Sequence, residues 1–169
     1  VLYTYRERLE IYNSLSVDYL IVADFNNDFR SMTGEEFLRI FKDYDLKGVV
    51  CGYDHRCGSN KLDCNGIENE LRGVCSVEIV NEITVDKVKI STTLVKKLIT
   101  NRQILKANSL LSEPYFIIGN VVHGRGVGKT LGFPTANLQI DAEKLLSQGV
   151  YGGYTYVDGI KYKCIVNIG

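Results

Sequence analysis

The sequence predicts an α/β region followed by an all-β region, divided near Ser112-Glu113-Pro114. In the first region, apolar residues at helical spacing alternate with short continuous apolar runs, the pattern of a parallel sheet covered by helices. In the second, apolar residues recur at alternate positions, and Asp158-Gly159 marks a two-residue hairpin turn. The predicted domains are residues 1–112 and 113–169.

Leu9, Ile11, Tyr12 and Leu15 are spaced as on one side of a helix, which predicts a helix over 5–15. Tyr19, Leu20, Ile21 and Val22 form a nearly continuous apolar run, predicting a buried strand over 17–23. Thr33-Gly34-Glu35-Glu36 is a capping box, in which the Thr hydroxyl and the second Glu carboxylate each take a free N–H at a helix start. Phe37, Ile40 and Phe41 give that helix an apolar face. Gly48–Cys51 predicts a second strand, ending at Gly52-Tyr53-Asp54. After a polar, turn-rich stretch at 58–65 come a short helix at 67–71 and strands at 74–80 and 85–90. Leu94, Val95, Leu98 and Ile99 predict a helical face after Ser91-Thr92-Thr93, and 104–111 predicts another.

Beyond the boundary, strands are predicted at 115–122, 150–157 and 160–168, the last with Tyr162, Cys164 and Val166 on one face. A meander of this kind around a Gly-rich loop implies a small barrel or sandwich. Val1 is not a methionine and Gly169 falls in mid-strand, so the sequence reads as an internal piece of a longer protein, with both domains partial.

Hydrophobic residues make up 45% and charged residues 24% of the chain, the balance of a soluble globular protein. Twenty Lys and Arg offset twenty Asp and Glu, so no global field favours nucleic acid or an anionic membrane. No apolar run approaches the ~20 residues of a membrane span. An anion site must therefore be local. The five cysteines are an odd number without a C-x-x-C pair or a preceding signal peptide, which predicts reduced thiols in a cytoplasmic protein. Cys51, His55, Cys57 and Cys64 lack zinc-site spacing, and Cys51 reads as a small core residue.

The stretch Gly119–Asn137, G-N-V-V-H-G-R-G-V-G-K-T-L-G-F-P-T-A-N, packs Gly119, Gly124, Gly126, Gly128 and Gly132 close together. Glycines at this density let backbone N–H groups approach a ligand, and Arg125 and Lys129 add positive charge. It is not a P-loop, because His123 stands where the first glycine of that motif belongs and Gly132 and Pro134 interrupt any following helix. Thr135 and Asn137 lie two apart and face the same way in an extended chain. Two neutral oxygen groups plus ATP phosphates suit Mg²⁺, which keeps few protein ligands. An ordinary Gly-Pro loop with satisfied polar groups is the alternative.

Two further constellations stand out. Asp54 and Arg56 follow a strand, where open α/β sheets bind polar ligands, although from spacing alone a turn with a local ion pair is the simpler reading. Ser91, Thr92 and Thr93 open a helix with Lys96 and Lys97 one turn on, which suits phosphate; alternatively, Ser91 is simply the N-cap.

The motifs occur in an order that resembles a known family. G-Y-D-H-R-C-G at 52–58 resembles G-x-D-F-x-F-G, and I-S-T-T-L-V-K at 90–96 resembles the nucleotide-binding I-S-S-T-x-x-R of an adenylyltransferase module. G-N-V-V-H-G at 119–124, L-G-F-P-T-A-N-L at 131–138, G-V-Y at 149–151 and V-N-I-G at 166–169 resemble the riboflavin kinase module. The chain thus resembles the bacterial bifunctional riboflavin kinase/FMN adenylyltransferase (FAD synthetase) family.

The resemblance implies a Rossmann-like nucleotidyltransferase domain lacking its N-terminal part, followed by a riboflavin-kinase-type β-barrel lacking its C-terminal part. It implies phosphorylation of riboflavin to FMN and adenylylation of FMN to FAD, with ATP, riboflavin and FMN as ligands and Mg²⁺ accompanying ATP. Thr135 and Asn137 would organise metal and nucleotide while the loop bearing Gly124, Gly126, Gly128 and Lys129 covers the phosphates. Ser91, Thr92, Thr93 and Lys96 would hold the second ATP, and Asp54 with Arg56 the flavin.

The family's H-x-G-H motif is absent, His55 and Cys57 replace aromatic residues, and Lys96 replaces an arginine, keeping charge but losing the bidentate fork. The kinase's general-base glutamate is expected beyond Gly169, so no catalytic residue is assigned and the piece by itself is expected to be inactive. An inactive flavin- or nucleotide-binding regulator on the same scaffold is the alternative.

Overall fold

A computed structural model describes residues 1–124, 128, 132–133 and 135–169. The chain forms two compact units, one of Ile21–Lys89 and one joining Val1–Leu20 to Ile90–Gly169. No helix among the described residues is long and apolar enough to cross a membrane.

The unit Ile21–Lys89 is α/β. Helix α2 (Asn27–Ser31) is capped by Asn26, and α3 (Gly34–Arg39) by the expected box, with Glu36 N–H on Thr33 Oγ1 at 3.3 Å and Thr33 N–H on Glu36 Oε2 at 2.8 Å. Strands β1 (Gly48–Gly52) and β2 (Ser76–Val80) pair in parallel, with Cys51 opposite Ile79, and α4 (Cys64–Glu70) lies on the connection between them. Leu38, Cys57, Ile67 and Leu71 are buried at the centre, with Phe37, Leu46, Val49 and Cys51 packed around them. Full burial of one such aliphatic side chain contributes roughly 1.5–3 kcal/mol. Gly58 closes the turn after β1 with φ at +70°, and a Cβ there would stand 2.7 Å from Gly34 Cα, so only glycine fits.

The expected strand at 85–90 is instead a tight hairpin. Strands β3 (Thr84–Val85) and β4 (Val88–Lys89) turn through Asp86 and Lys87, both at positive φ. That is the primed turn whose twist matches the flanking strands.

In the other unit, α1 (Tyr5–Ser14), α5 (Thr92–Thr100) and α6 (Ile104–Asn108) accompany two antiparallel ladders. One joins β5 (Asn120–Val122) to β6 (Asn137–Gln139), an element the sequence reading missed. The other joins β7 (Gly149–Val157) to β8 (Ile160–Ile168), with Asp158 and Gly159 at positive φ in the predicted turn. Val95, Ile99 and Ala107 form the core with Leu2, Leu98, Tyr115 and Leu145.

A buried ion pair ties these elements together. Thr4 caps α1 through a capping box with Glu7, whose side chain is fully buried. Glu7 Oε2 also accepts from Lys144 Nζ at 2.7 Å, and Oε1 accepts from Ile118 N–H at 3.0 Å. Lys144 donates further to the carbonyls of Leu2 and Phe116 and lies 4.0 Å from the centre of the Tyr115 ring. Burial pushes the Lys144 ammonium below its usual range, while the Glu7 contact acts in the opposite sense.

Two further strand expectations are corrected. Of 115–122, only Asn120–Val122 is ladder-paired, because Tyr115 N–H goes to Asn108 Oδ1, Ile118 N–H to Glu7 and the Phe116 carbonyl to Lys144. Residues 17–23 are not a strand, and Tyr19 is 89% exposed. This run finds no ladder partner among the described residues, and an apolar run becomes a strand only where a neighbour takes its N–H and C=O groups.

Lys144→Met strands the buried Glu7 carboxylate and is expected to cost about 3–5 kcal/mol in urea unfolding. The double variant Glu7→Gln/Lys144→Met is expected to recover most of that loss. A single-variant loss near zero would show that the pair does not hold the fold.

Candidate functional site

The β5–β6 ladder sets the geometry of the Gly-rich region. Val122 pairs with Asn137, so the strand leading into the glycines runs beside the strand that follows them. Thr135 and Asn137 are both exposed. Each is closely met by a glycine. A Cβ on Gly124 would lie 2.6 Å from Asn137 Cγ, and one on Gly128 would lie 2.5 Å from the Phe133 carbonyl oxygen and 3.0 Å from Thr135 Oγ1. Phe133 N–H donates to the Gly128 carbonyl at 2.8 Å. Gly124, Gly128, Thr135 and Asn137 are thus brought together. Arg125, Gly126, Lys129 and Pro134 lie outside the described residues.

Neutral oxygen donors at Thr135 and Asn137, in a cradle that a methyl group at either glycine would fill, suit a hard cation carried by phosphates. Among the described residues no cluster of three His, Cys, Asp or Glu side chains could hold a metal. At the other end of the same ladder, Arg6 donates to Asn120 Oδ1 at 3.2 Å, beside a cleft of about 310 Å³ that contains none of the predicted site residues.

In the α/β unit, the turn after β1 presents Asp54 and Arg56 to solvent. Arg56 donates to the His55 carbonyl at 2.7 Å, so the ion pair there is between Asp54 and Lys89, at 3.7 Å. Lys89 also contacts the Tyr53 hydroxyl and Glu82, and Tyr53 donates to Glu82 Oε2 at 3.3 Å. The Tyr53 contact, then Asp54 and Glu82, hold the Lys89 ammonium above its usual range. Sequence reading missed Lys89. Its only signal was its position opposite Thr84 across a hairpin that the apolar pattern did not reveal.

In the other unit, Ser91 Oγ accepts Leu94 N–H at 3.2 Å and caps α5. Thr92, Thr93 and Lys96 are exposed on its first turns. Ser91 therefore serves the helix as its N-cap. Asp54 and Arg56 thus belong to one unit, and Ser91, Thr92, Thr93 and Lys96 to the other.

All five cysteines are free thiols. Cys51 packs against the core as expected, its Sγ 3.7 Å from that of Cys64. Burial, then Cys64, pushes the Cys51 thiol up.

Comparison with known proteins assigns the two segments. The riboflavin kinase family profile matches residues 111–169, and the FAD synthetase profile matches residues 1–94. Bifunctional riboflavin kinase/FMN adenylyltransferases are similar along most of the chain. That of Bacillus subtilis is 30% identical, covering 96% of this chain and 52% of the relative, and that of Buchnera aphidicola from Schizaphis graminum is 29% identical, covering 97% and 52%. The Escherichia coli K12 protein is 31% identical, covering 86% of this chain and 48% of its own length. A crystal structure from Streptococcus pneumoniae, described as a macrolide-efflux protein, superposes with a TM-score of 0.87 at 30% identity, covering 99% of this chain and 55% of that one. The chain spans about half the length of the curated relatives it matches. With the FAD synthetase profile covering more than half of its 169 residues and the riboflavin kinase profile following in order, the chain belongs to the FAD synthetase family.

Proposed function

We propose that the protein carrying this chain makes FMN from riboflavin and ATP, and FAD from FMN and a second ATP. Residues 113–169 belong to the kinase module, a β-barrel in the whole protein, and residues 1–112 to a Rossmann-like adenylyltransferase module. The observation that supports this most is the closure of Gly124 on Asn137 and of Gly128 on Thr135. In the kinase reaction the ribityl 5′-hydroxyl displaces ADP from the γ-phosphorus, and catalysis is mostly positioning and charge neutralisation. The loop of Gly124, Gly126, Gly128 and Lys129 covers the phosphates without side-chain obstruction at its glycines. Thr135 and Asn137 would hold Mg²⁺, which neutralises phosphate charge when bound. In the other module, Thr92, Thr93 and Lys96 meet ATP phosphates at the start of α5, Ser91 shapes that helix end, and Asp54 and Arg56 contact the flavin. Lys89 fixes the Asp54 carboxylate in this reading. The setting is the cytoplasm, where structural disulfides are rare.

The efflux description of the Streptococcus structure is not carried over, because both family profiles match flavin enzymes segment by segment.

In the whole protein, Thr135→Ala and Asn137→Ala are expected to abolish MgATP-dependent conversion of riboflavin to FMN, while adenylylation of added FMN persists. Undiminished FMN formation in both variants would refute the assignment. Gly128→Ala, whose methyl group meets backbone, is expected to weaken MgATP binding by about tenfold or more in calorimetry, a change of ~1.4 kcal/mol. Gly132→Ala meets nothing within 4 Å and only strains a positive φ. It is expected to lower stability by about 1–2 kcal/mol while leaving affinity nearly unchanged.

A further inference from the structure

The two sulfurs in contact beneath the candidate flavin turn carry a second inference. Cys51 is on β1 and half-buried; Cys64 is the first residue of α4 and buried. Their Sγ atoms are 3.7 Å apart, in direct contact, where an S–S bond spans ~2.05 Å. The Cys64 thiol points at the strand end, 3.1 Å from the Gly52 carbonyl oxygen and 3.7 Å from that of Tyr53. Residues 52–63 lie between the two cysteines and include Tyr53, Asp54 and Arg56.

We infer that Cys51 and Cys64 form a dithiol that low-molecular-weight disulfides oxidise reversibly to an internal disulfide, closing residues 52–63 into a covalent ring. Cys51, the more accessible of the two, loses its proton and attacks one sulfur of the small disulfide, forming a mixed disulfide and releasing one thiolate. Cys64 then loses its proton and attacks Cys51 Sγ, forming the internal bond and releasing the second thiolate. The protein gives up two electrons and two protons; the small disulfide takes the electrons, and its two thiolates take up the protons. Oxidation also removes the Cys64 S–H donor from the Gly52 and Tyr53 carbonyls, so the base of the turn changes hydrogen bonding as the ring closes. Excess small thiol reverses the reaction.

The test equilibrates the purified chain in glutathione buffers of increasing oxidised fraction, alkylates the remaining thiols and maps the products by mass spectrometry. Alkylation of Cys51 and Cys64 is expected to be lost together, with a Cys51–Cys64 linked peptide appearing, two hydrogens lighter, and disappearing on return to reduced glutathione. Cys51→Ser and Cys64→Ser are each expected to abolish that peptide, and Cys64→Ser to leave glutathione on the more accessible Cys51. The inference is overturned if both wild-type thiols stay alkylatable at every ratio, or if the internal disulfide joins other cysteines. Because the wild-type map decides the matter, a poorly folding variant does not obscure it.

Discussion

A carboxylate and an ammonium 137 positions apart, both nearly inaccessible, hold the larger unit together. Two buried charges are costly to desolvate and persist only where every donor and acceptor is matched. Glu7 meets this by accepting from Thr4 N–H, Lys144 and Ile118 N–H, and Lys144 by donating to Leu2, Phe116 and Glu7. The pair therefore caps α1, positions the extended segment before β5 and fixes the segment after β6 in one network. Those two segments frame the glycine-rich loop.

The α/β unit achieves a comparable result by different means. There the turn after β1 is closed by Gly58 against the start of α3 and by paired backbone bonds between Cys57 and Leu62. Its polar tip, Tyr53 and Asp54, is held from the β3–β4 hairpin by Lys89. These exposed contacts contribute little stability, of the order of 0–1 kcal/mol for a surface ion pair, and matter instead for orientation.

Local chemistry was legible in the sequence. The Thr33 capping box, the Asp158-Gly159 turn, the Ser91 cap and the β7–β8 hairpin all rest on interactions between residues close in the chain. The long-range pairings were not. Nothing near Glu7 or Lys144 announces the other, so 115–118 read as a strand although its backbone groups bond to side chains. The run at 17–23 has strand composition without a ladder partner among the described residues, and composition does not encode that difference. Of the candidate site, the residue types at 119–137 pointed to phosphate chemistry, but the contacts of Gly124 with Asn137 and of Gly128 with Thr135 emerged only from the fold. Lys89 was hidden because its role depends on a two-residue turn that folds it back over Tyr53.

The central claim is that the glycine-rich loop with Thr135 and Asn137 forms a nucleotide site. Hydrogen–deuterium exchange of the chain with and without MgATP tests it directly. The account predicts slower exchange at 119–124 and 135–139 on adding MgATP, with β7–β8 unchanged. Nucleotide binding that protects other segments and leaves these unaffected, or no protection at saturating MgATP, would contradict it.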